Sequence, residues 1–225
     1  MVELTTGEKL LIQRMLAEQC ITENRAQELW SQLKSKGRID SDSLEASLIN
    51  CNGQLQLISL EIMGVVFPSP ADENDDTNTP SATKYLALVD KHRPALGGGG
   101  DGDNEEIASA TKLAFVKSTL GGPSAMNHRR AILQHLVDNT TATKADLINL
   151  KNEIKDSPNY TLDMAETCVD SMLRDSWIIL VAGARRKSMQ SQVAMGPRTY
   201  MELSDLLTEQ FDMEQSQLPQ QLYYR

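Results

Sequence analysis

The chain has 225 residues, with 22 Lys and Arg against 31 Asp and Glu. Its formal charge of −9 makes it a poor stand-alone ligand for the phosphate backbone, which is held mainly by cationic side chains. Three Cys (Cys20, Cys51, Cys168) and three His (His92, His128, His135) are scattered without CxxC, CxxH or HxxxH spacing. That pattern argues against a structural zinc site and a disulfide framework, and points to a reducing compartment.

Aromatic residues make up only 4% of the chain, so a core must rest on Leu, Ile, Val and Met. The first residues, MVELTTGEKLLIQRM, lack the basic start and apolar run of a secretory signal. The longest apolar stretches, 60–67 and 177–184, are too short to span a bilayer. The expectation is a soluble cytoplasmic or nuclear protein without membrane contact.

In chain order, apolar spacing predicts a helix over 8–18, with Leu10, Leu11, Met15 and Leu16. Thr22 caps a second helix that carries Ala26, Leu29, Trp30 and Leu33 on one face, and Gly37 ends it. Ser41 or Ser43 opens a third, with Leu44, Leu48, Ile49 and Leu55, although Asn52-Gly53 weakens its interior. Two strands, 59–67 and 84–90, then flank an acidic, Pro-rich stretch at 68–81.

The second half repeats that order. Ser124 caps a helix with Met126, Ile132, Leu133, Leu136 and Val137, and 144–154 gives another with Leu147, Ile148 and Ile154. Residues 161–174 give a third, with Leu162, Ala165, Val169, Met172 and Leu173 three and four apart. Strands at 177–181 and 189–195 follow, and Gly196-Pro197 starts a last helix with Leu203, Leu206, Leu207 and Phe211. Three helices followed by a hairpin is the winged-helix plan. The fold class is therefore mostly α with small β-hairpins (α+β), as tandem winged-helix domains. The first spans 1–94, a linker with Gly97–Gly100 spans 95–122, the second spans 123–211, and 212–225 is a C-terminal tail.

No catalytic constellation stands out, so no catalytic, cofactor-binding or metal-binding residue and no small-molecule substrate is assigned. The Gly97–Gly100 run precedes Asp101 and Asp103 rather than a Lys-Ser or Lys-Thr helix start, so it is a linker and not a phosphate loop. The stretch DENDD at 72–76 lacks the Gly and terminal Glu of a calcium loop. His128 and His135 stand seven apart on one helix and read as a solvent-facing pair. The three Cys read as small buried apolar residues. The one basic cluster is Arg185-Arg186-Lys187 in the second wing, joined by Arg129 and Arg130. These five are the candidate DNA-backbone contacts. The third helix of the second half instead carries Asp163, Glu166 and Asp170, followed by Asp175, against Arg174, and so opposes base reading in the groove.

LISLEIMGV (57–65), KYLALVD (84–90), LDMAETCVDSMLRDSWI (162–178) and GPRTYMELSDLL (196–207) resemble the non-structural maintenance of chromosomes element 1 family. That family supplies a subunit of the SMC five–six complex. Ala165, Glu166, Val169, Leu173 and Trp177, then Gly196, Arg198 and Glu202, occupy the family's motif positions. The resemblance covers roughly 10–211 and implies an assembly role. It implies pairing with a MAGE-type tandem winged-helix subunit and a kleisin subunit, with duplex DNA held through the complex. Nuclear, chromatin-associated work in DNA repair and recombination follows from it. The family also carries a C-terminal RING-like zinc domain with ubiquitin ligase activity. The Cys and His here do not supply its ligands, so zinc and that activity are carried onto no residue of this chain. Two other readings are a stand-alone winged-helix regulator and the substrate-presenting half of a RING-type E3 ligase.

Overall fold

The computed structural model describes residues 3–68, 82–90, 122–154, 159–181 and 188–225. The chain forms two compact units. The first comprises 1–92 together with 200–202 and 218–225, and the second comprises 93–199 together with 203–217.

In the first unit, α1 (Thr6–Glu18) opens with a capping box. The Glu8 N–H donates to Thr5 Oγ1 at 3.2 Å and the Thr5 N–H to Glu8 Oε2 at 2.8 Å, satisfying two amides that helix geometry leaves open. Strand β1 (Cys20–Thr22) leads directly into α2 (Glu23–Ser35). Thr22, the last residue of the strand, is also the helix cap, accepting from the Arg25 N–H. Helix α3 (Leu44–Leu55) is capped by Ser43 and runs unbroken through Asn52-Gly53. Strands β2 (Leu60–Pro68) and β3 (Ala82–Asp90) form the hairpin.

The sheet order is β1-β3-β2-β7, in which β7 (Gln221–Tyr223) comes from the C-terminal end of the chain. The stretch read from sequence as a tail thus contributes a strand to the first sheet, with Gly64 opposite Leu222. Asn52 fixes this arrangement from inside. Its Nδ2 donates to the carbonyls of Ile62 (3.0 Å) and Tyr224 (2.9 Å), and its Oδ1 accepts from the Ile62 N–H (2.7 Å). These bonds make Asn52 a buried joint between α3, β2 and the last residues, which offsets its low helix propensity. The core gathers Leu11, Met15, Trp30, Leu48, Cys51, Ile62, Leu86 and Tyr224. Met63, Val65, Ala87 and Val89 on the other sheet face pack with Met201. Trp30 Nε1 finds a buried acceptor in Ser47 Oγ at 2.9 Å.

The second unit repeats the plan: α4 (Gly122–Asn139), β4 (Thr141–Thr143), α5 (Lys144–Asn149), α6 (Leu162–Arg174), β5 (Ile178–Leu180) and β6 (Gln192–Met195). Its sheet order, β4-β6-β5, matches β1-β3-β2 position for position. Thr143, like Thr22, ends a strand and caps the next helix. Gln19 and Thr140 have positive φ (64° and 63°) just before the first strand of each unit. Ser59 and Ser176 (59° and 62°) do the same between the third helix and the second strand.

Three sequence expectations change here. The helix read at 144–154 is α-helical only to Asn149 and continues as a 3-10 turn over Leu150–Glu153. The last helix divides into α7 (Pro197–Glu202) and α8 (Ser204–Glu209), because Leu203 leaves helical geometry (φ −118°, ψ 17°). Leu203, Leu206, Leu207 and Phe211 are nevertheless all buried. The short strands β1, β4 and β7 were not read from the sequence. The acidic stretch at 69–81, the Gly-rich linker and the boundary between Pro94 and Pro123 lie outside the described residues.

Candidate functional site

A winged helix presents the exposed face of its third helix, so α3 and α6 are the surfaces to weigh. Their buried positions recur at helical spacing: Leu44, Ser47, Leu48, Cys51 and Leu55 on α3, and Ala165, Cys168, Val169 and Met172 on α6. What remains outward on α3 is Glu45, Ile49 and Gly53, continuing into Leu57 (66% exposed) and Ile58 (65%) of the following 3-10 turn. Ile49 was expected to face the core, and it faces solvent instead. This face carries no cation.

On α6, Asp163, Thr167, Asp170 and Arg174 are exposed, with Glu166 half-buried beside them. Arg174 Nε pairs with Asp175 at 3.1 Å. Lys144, itself buried, reaches Asp170 at 2.8 Å. Among the described residues, Lys144 and Arg174 are therefore engaged by carboxylates, and the outer row of the helix is acidic. Phosphates approaching this row would meet the carboxylates of Asp163, Glu166 and Asp170, which repel them.

The candidate DNA-contact residues divide. Arg185, Arg186 and Lys187 lie outside the described residues. Arg130 is exposed and lines a cleft of about 490 Å³ with Asn127, Ala131, Gln134, Glu153, Ile154 and Phe211. Arg129 is only 3% exposed, because its position on α4 faces the core beside His128. The guanidinium is thus turned away from any phosphate outside.

His128 also departs from the sequence expectation of a solvent-facing histidine, since it is fully buried. Its Nε2 lies 2.8 Å from the Leu147 carbonyl and its Nδ1 2.9 Å from the Tyr160 hydroxyl. A carbonyl only accepts, so Nε2 carries the proton, and in the neutral ring Nδ1 accepts from Tyr160. Burial is the main force holding His128 below its ordinary range. The Leu147 hydrogen bond opposes that shift, while the charges of Arg129 and Lys151 add to it. His135 stands two turns further along the same helix and is half-buried, whereas His128 is fully buried, so the two are not a solvent-facing pair.

Two of the three thiols, Cys51 and Cys168, are poor nucleophiles. Burial, with Glu8 nearby, pushes Cys51 up to about 12. Burial also raises Cys168. Cys20, in β1, is only half-buried, unlike the small buried apolar residue expected from the sequence. Among the described residues, no group of three or more His, Cys, Asp and Glu is placed to hold a metal ion. Nor is any of their helices long and apolar enough to cross a membrane.

Most of the residues that carry the resemblance are packing residues, although Glu166 lies on the outer row of α6. Ala165, Val169 and Trp177 are buried. A Cβ on Gly196 would fall 2.2 Å from the Ser176 carbonyl oxygen, so only glycine permits this approach. The Arg198 guanidinium lies 4.4 Å from the centre of the Trp177 ring. Sequence reasoning missed Asn52 as a structural joint and Met189 as an exposed residue. The Asn52-Gly53 pair was the only signal of the former.

No family model matches the sequence, and no curated protein matches it. Among solved structures, a chain of the "Nse1-Nse3-Nse4 complex" is similar, with a TM-score of 0.62 at 16% identity. The match covers 94% of this chain and 77% of that one. The chain therefore has an Nse1-like, α+β winged-helix fold, built twice along one polypeptide.

Proposed function

We propose that this chain is a non-catalytic scaffold subunit of an SMC five–six complex. It pairs with a MAGE-type tandem winged-helix subunit and a kleisin subunit, in an assembly that holds duplex DNA and serves DNA repair and recombination in the nucleus. The observation that carries this reading is the chemistry of the two third helices. Their outer faces offer apolar and acidic side chains where a DNA reader needs cations. The fold likeness supports it, because the similar chain belongs to a complex whose other subunits are of the MAGE and kleisin kinds. Arg185, Arg186 and Lys187, with Arg130, are a minor contact to the DNA backbone within that assembly. The burial of Arg129 removes it from this set.

The test is size-exclusion chromatography of the purified chain mixed with the MAGE-type and kleisin subunits. A single earlier peak containing all three is expected. Independent elution at micromolar concentrations would overturn the reading. A stand-alone regulator would instead bind duplex DNA alone at low salt, with a steep salt slope lost on replacing Arg185 and Arg186 by Ala.

A further inference from the structure

We infer that Asn52-Gly53 is a deamidation site held shut by the fold, whose product prevents the first unit from closing again. This holds whether or not the chain is a scaffold subunit. The sequence contains this Asn-Gly pair once. Asn is among the heat-labile residues, because its carboxamide carbon is open to attack by the backbone nitrogen that follows it. A glycine in that next place leaves the approach unhindered, since it has no side chain. Packing explains Asn52 but not Gly53. Asn52 is 1% exposed and joins α3, β2 and the last residues. Gly53 is exposed, its φ is not left-handed, and a Cβ added there would meet nothing within 4 Å. Alanine would fit and would favour the helix. The residue that holds β7 is thus followed by a glycine that no contact requires.

The reaction needs no reagent beyond water. The Gly53 nitrogen gives up its proton and bonds to Asn52 Cγ, the Cγ–Nδ2 bond breaks, and ammonia leaves. Water then opens the resulting cyclic imide at either carbonyl, giving aspartate or isoaspartate. In the folded unit both reacting groups are engaged elsewhere. The helix commits the Gly53 N–H to the carbonyl four residues earlier. The carboxamide is fixed by the Ile62 N–H at 2.7 Å and by the carbonyls of Ile62 and Tyr224 at 3.0 and 2.9 Å. Attack therefore waits for α3 to open, which frees both groups. The product then lacks what the joint needs. An aspartate carboxylate has no proton for the two carbonyls and would stand as a buried charge against their oxygens. Isoaspartate adds a carbon to the main chain and interrupts the hydrogen-bond ladder of α3. Either product leaves β7 without its interior anchor, so one opening event becomes a permanent loss of the C-terminal strand.

The experiment incubates the whole chain at one pH and temperature, in native buffer and in urea that unfolds it. Peptide mapping by mass spectrometry follows the replacement of the Asn52 amide nitrogen by oxygen. Conversion in urea should outpace conversion in native buffer by about a hundredfold or more. Gly53→Ala should slow conversion in urea severalfold and melt no lower than the original chain. Asn52→Asp, which carries the product side chain, is followed by hydrogen exchange. It should lose about tenfold or more of the protection at the Val66 N–H, which pairs with Gln220 at 2.8 Å. The Val181 N–H of the second unit, paired with Gln192, should keep its protection. A first unit that fails to fold in this variant gives the same loss at Val66. Equal rates in native buffer and urea would show that the fold guards nothing, and no conversion in urea would remove the site. Unchanged protection at Val66 in Asn52→Asp would show that the product closes as well as the original. A lower melting point for Gly53→Ala would give the glycine a structural role. Any of these four results overturns the inference.

Discussion

The two winged helices share a backbone recipe and differ in what closes their cores. Both units use a threonine that ends a short strand and caps the next helix, and both place left-handed residues at matching positions. The first unit completes its sheet with a strand from the far end of the chain and locks it with Asn52. Among the described residues, the sheet of the second has three strands, and its core holds the buried His128–Tyr160 pair instead. Turns and caps thus specify the fold, and the interior joints are free to differ.

The largest expected effect breaks the first unit alone. Asn52→Ala removes three buried hydrogen bonds and leaves backbone groups of Ile62 and Tyr224 without this partner. It should cost about 3 kcal/mol in chemical denaturation. A loss below about 1 kcal/mol would show that Asn52 is no joint. Next, Gly196→Ala drives a methyl group into the Ser176 carbonyl. It should destabilise the second unit by about 2 kcal/mol, because a backbone carbonyl has little room to move.

The third effect distinguishes the units by pH. The folded pKa of His128 is depressed below its ordinary 6.5. Well above pH 6.5 the histidine is neutral in both the folded and the unfolded form, and the full stability is present. As pH falls below 6.5, the unfolded chain takes up a proton that the folded core refuses, and stability drops by up to about 1.4 kcal/mol per pH unit. Melting curves from pH 7.5 to 5.5 should therefore show a loss in the second unit that His128→Gln flattens. An unchanged slope in that variant would assign the loss to other groups. The smallest effect sharpens the likeness. Ser59→Gly and Ser176→Gly should each stabilise by about 0.5 kcal/mol, since both relieve a left-handed backbone. Opposite signs would break the equivalence of the two turns.

Much of this fold was legible because it is local. Caps at Thr22 and Ser43 and the apolar spacing of α3 and α6 act within one or two turns, whereas Ser124, read as a cap, lies inside α4. The strands β1 and β4 were hidden because three residues carry no alternation, and their last threonine already had a role as cap. Strand β7 was hidden because its partner β2 lies more than 150 residues earlier. The acidity of the α6 face was readable directly from Asp163, Glu166 and Asp170. The burial of Arg129 and His128 was not, because polar side chains on a helix give no sign of an interior partner such as Tyr160.

The claim that the third-helix faces meet protein rather than DNA is tested most directly by photo-crosslinking. A photoreactive residue at Thr167, exposed on α6, would be carried into the chain mixed with the MAGE-type subunit, the kleisin subunit and duplex DNA. The account predicts covalent adducts with a partner protein and none with DNA. Adducts with the duplex at Thr167 would contradict it.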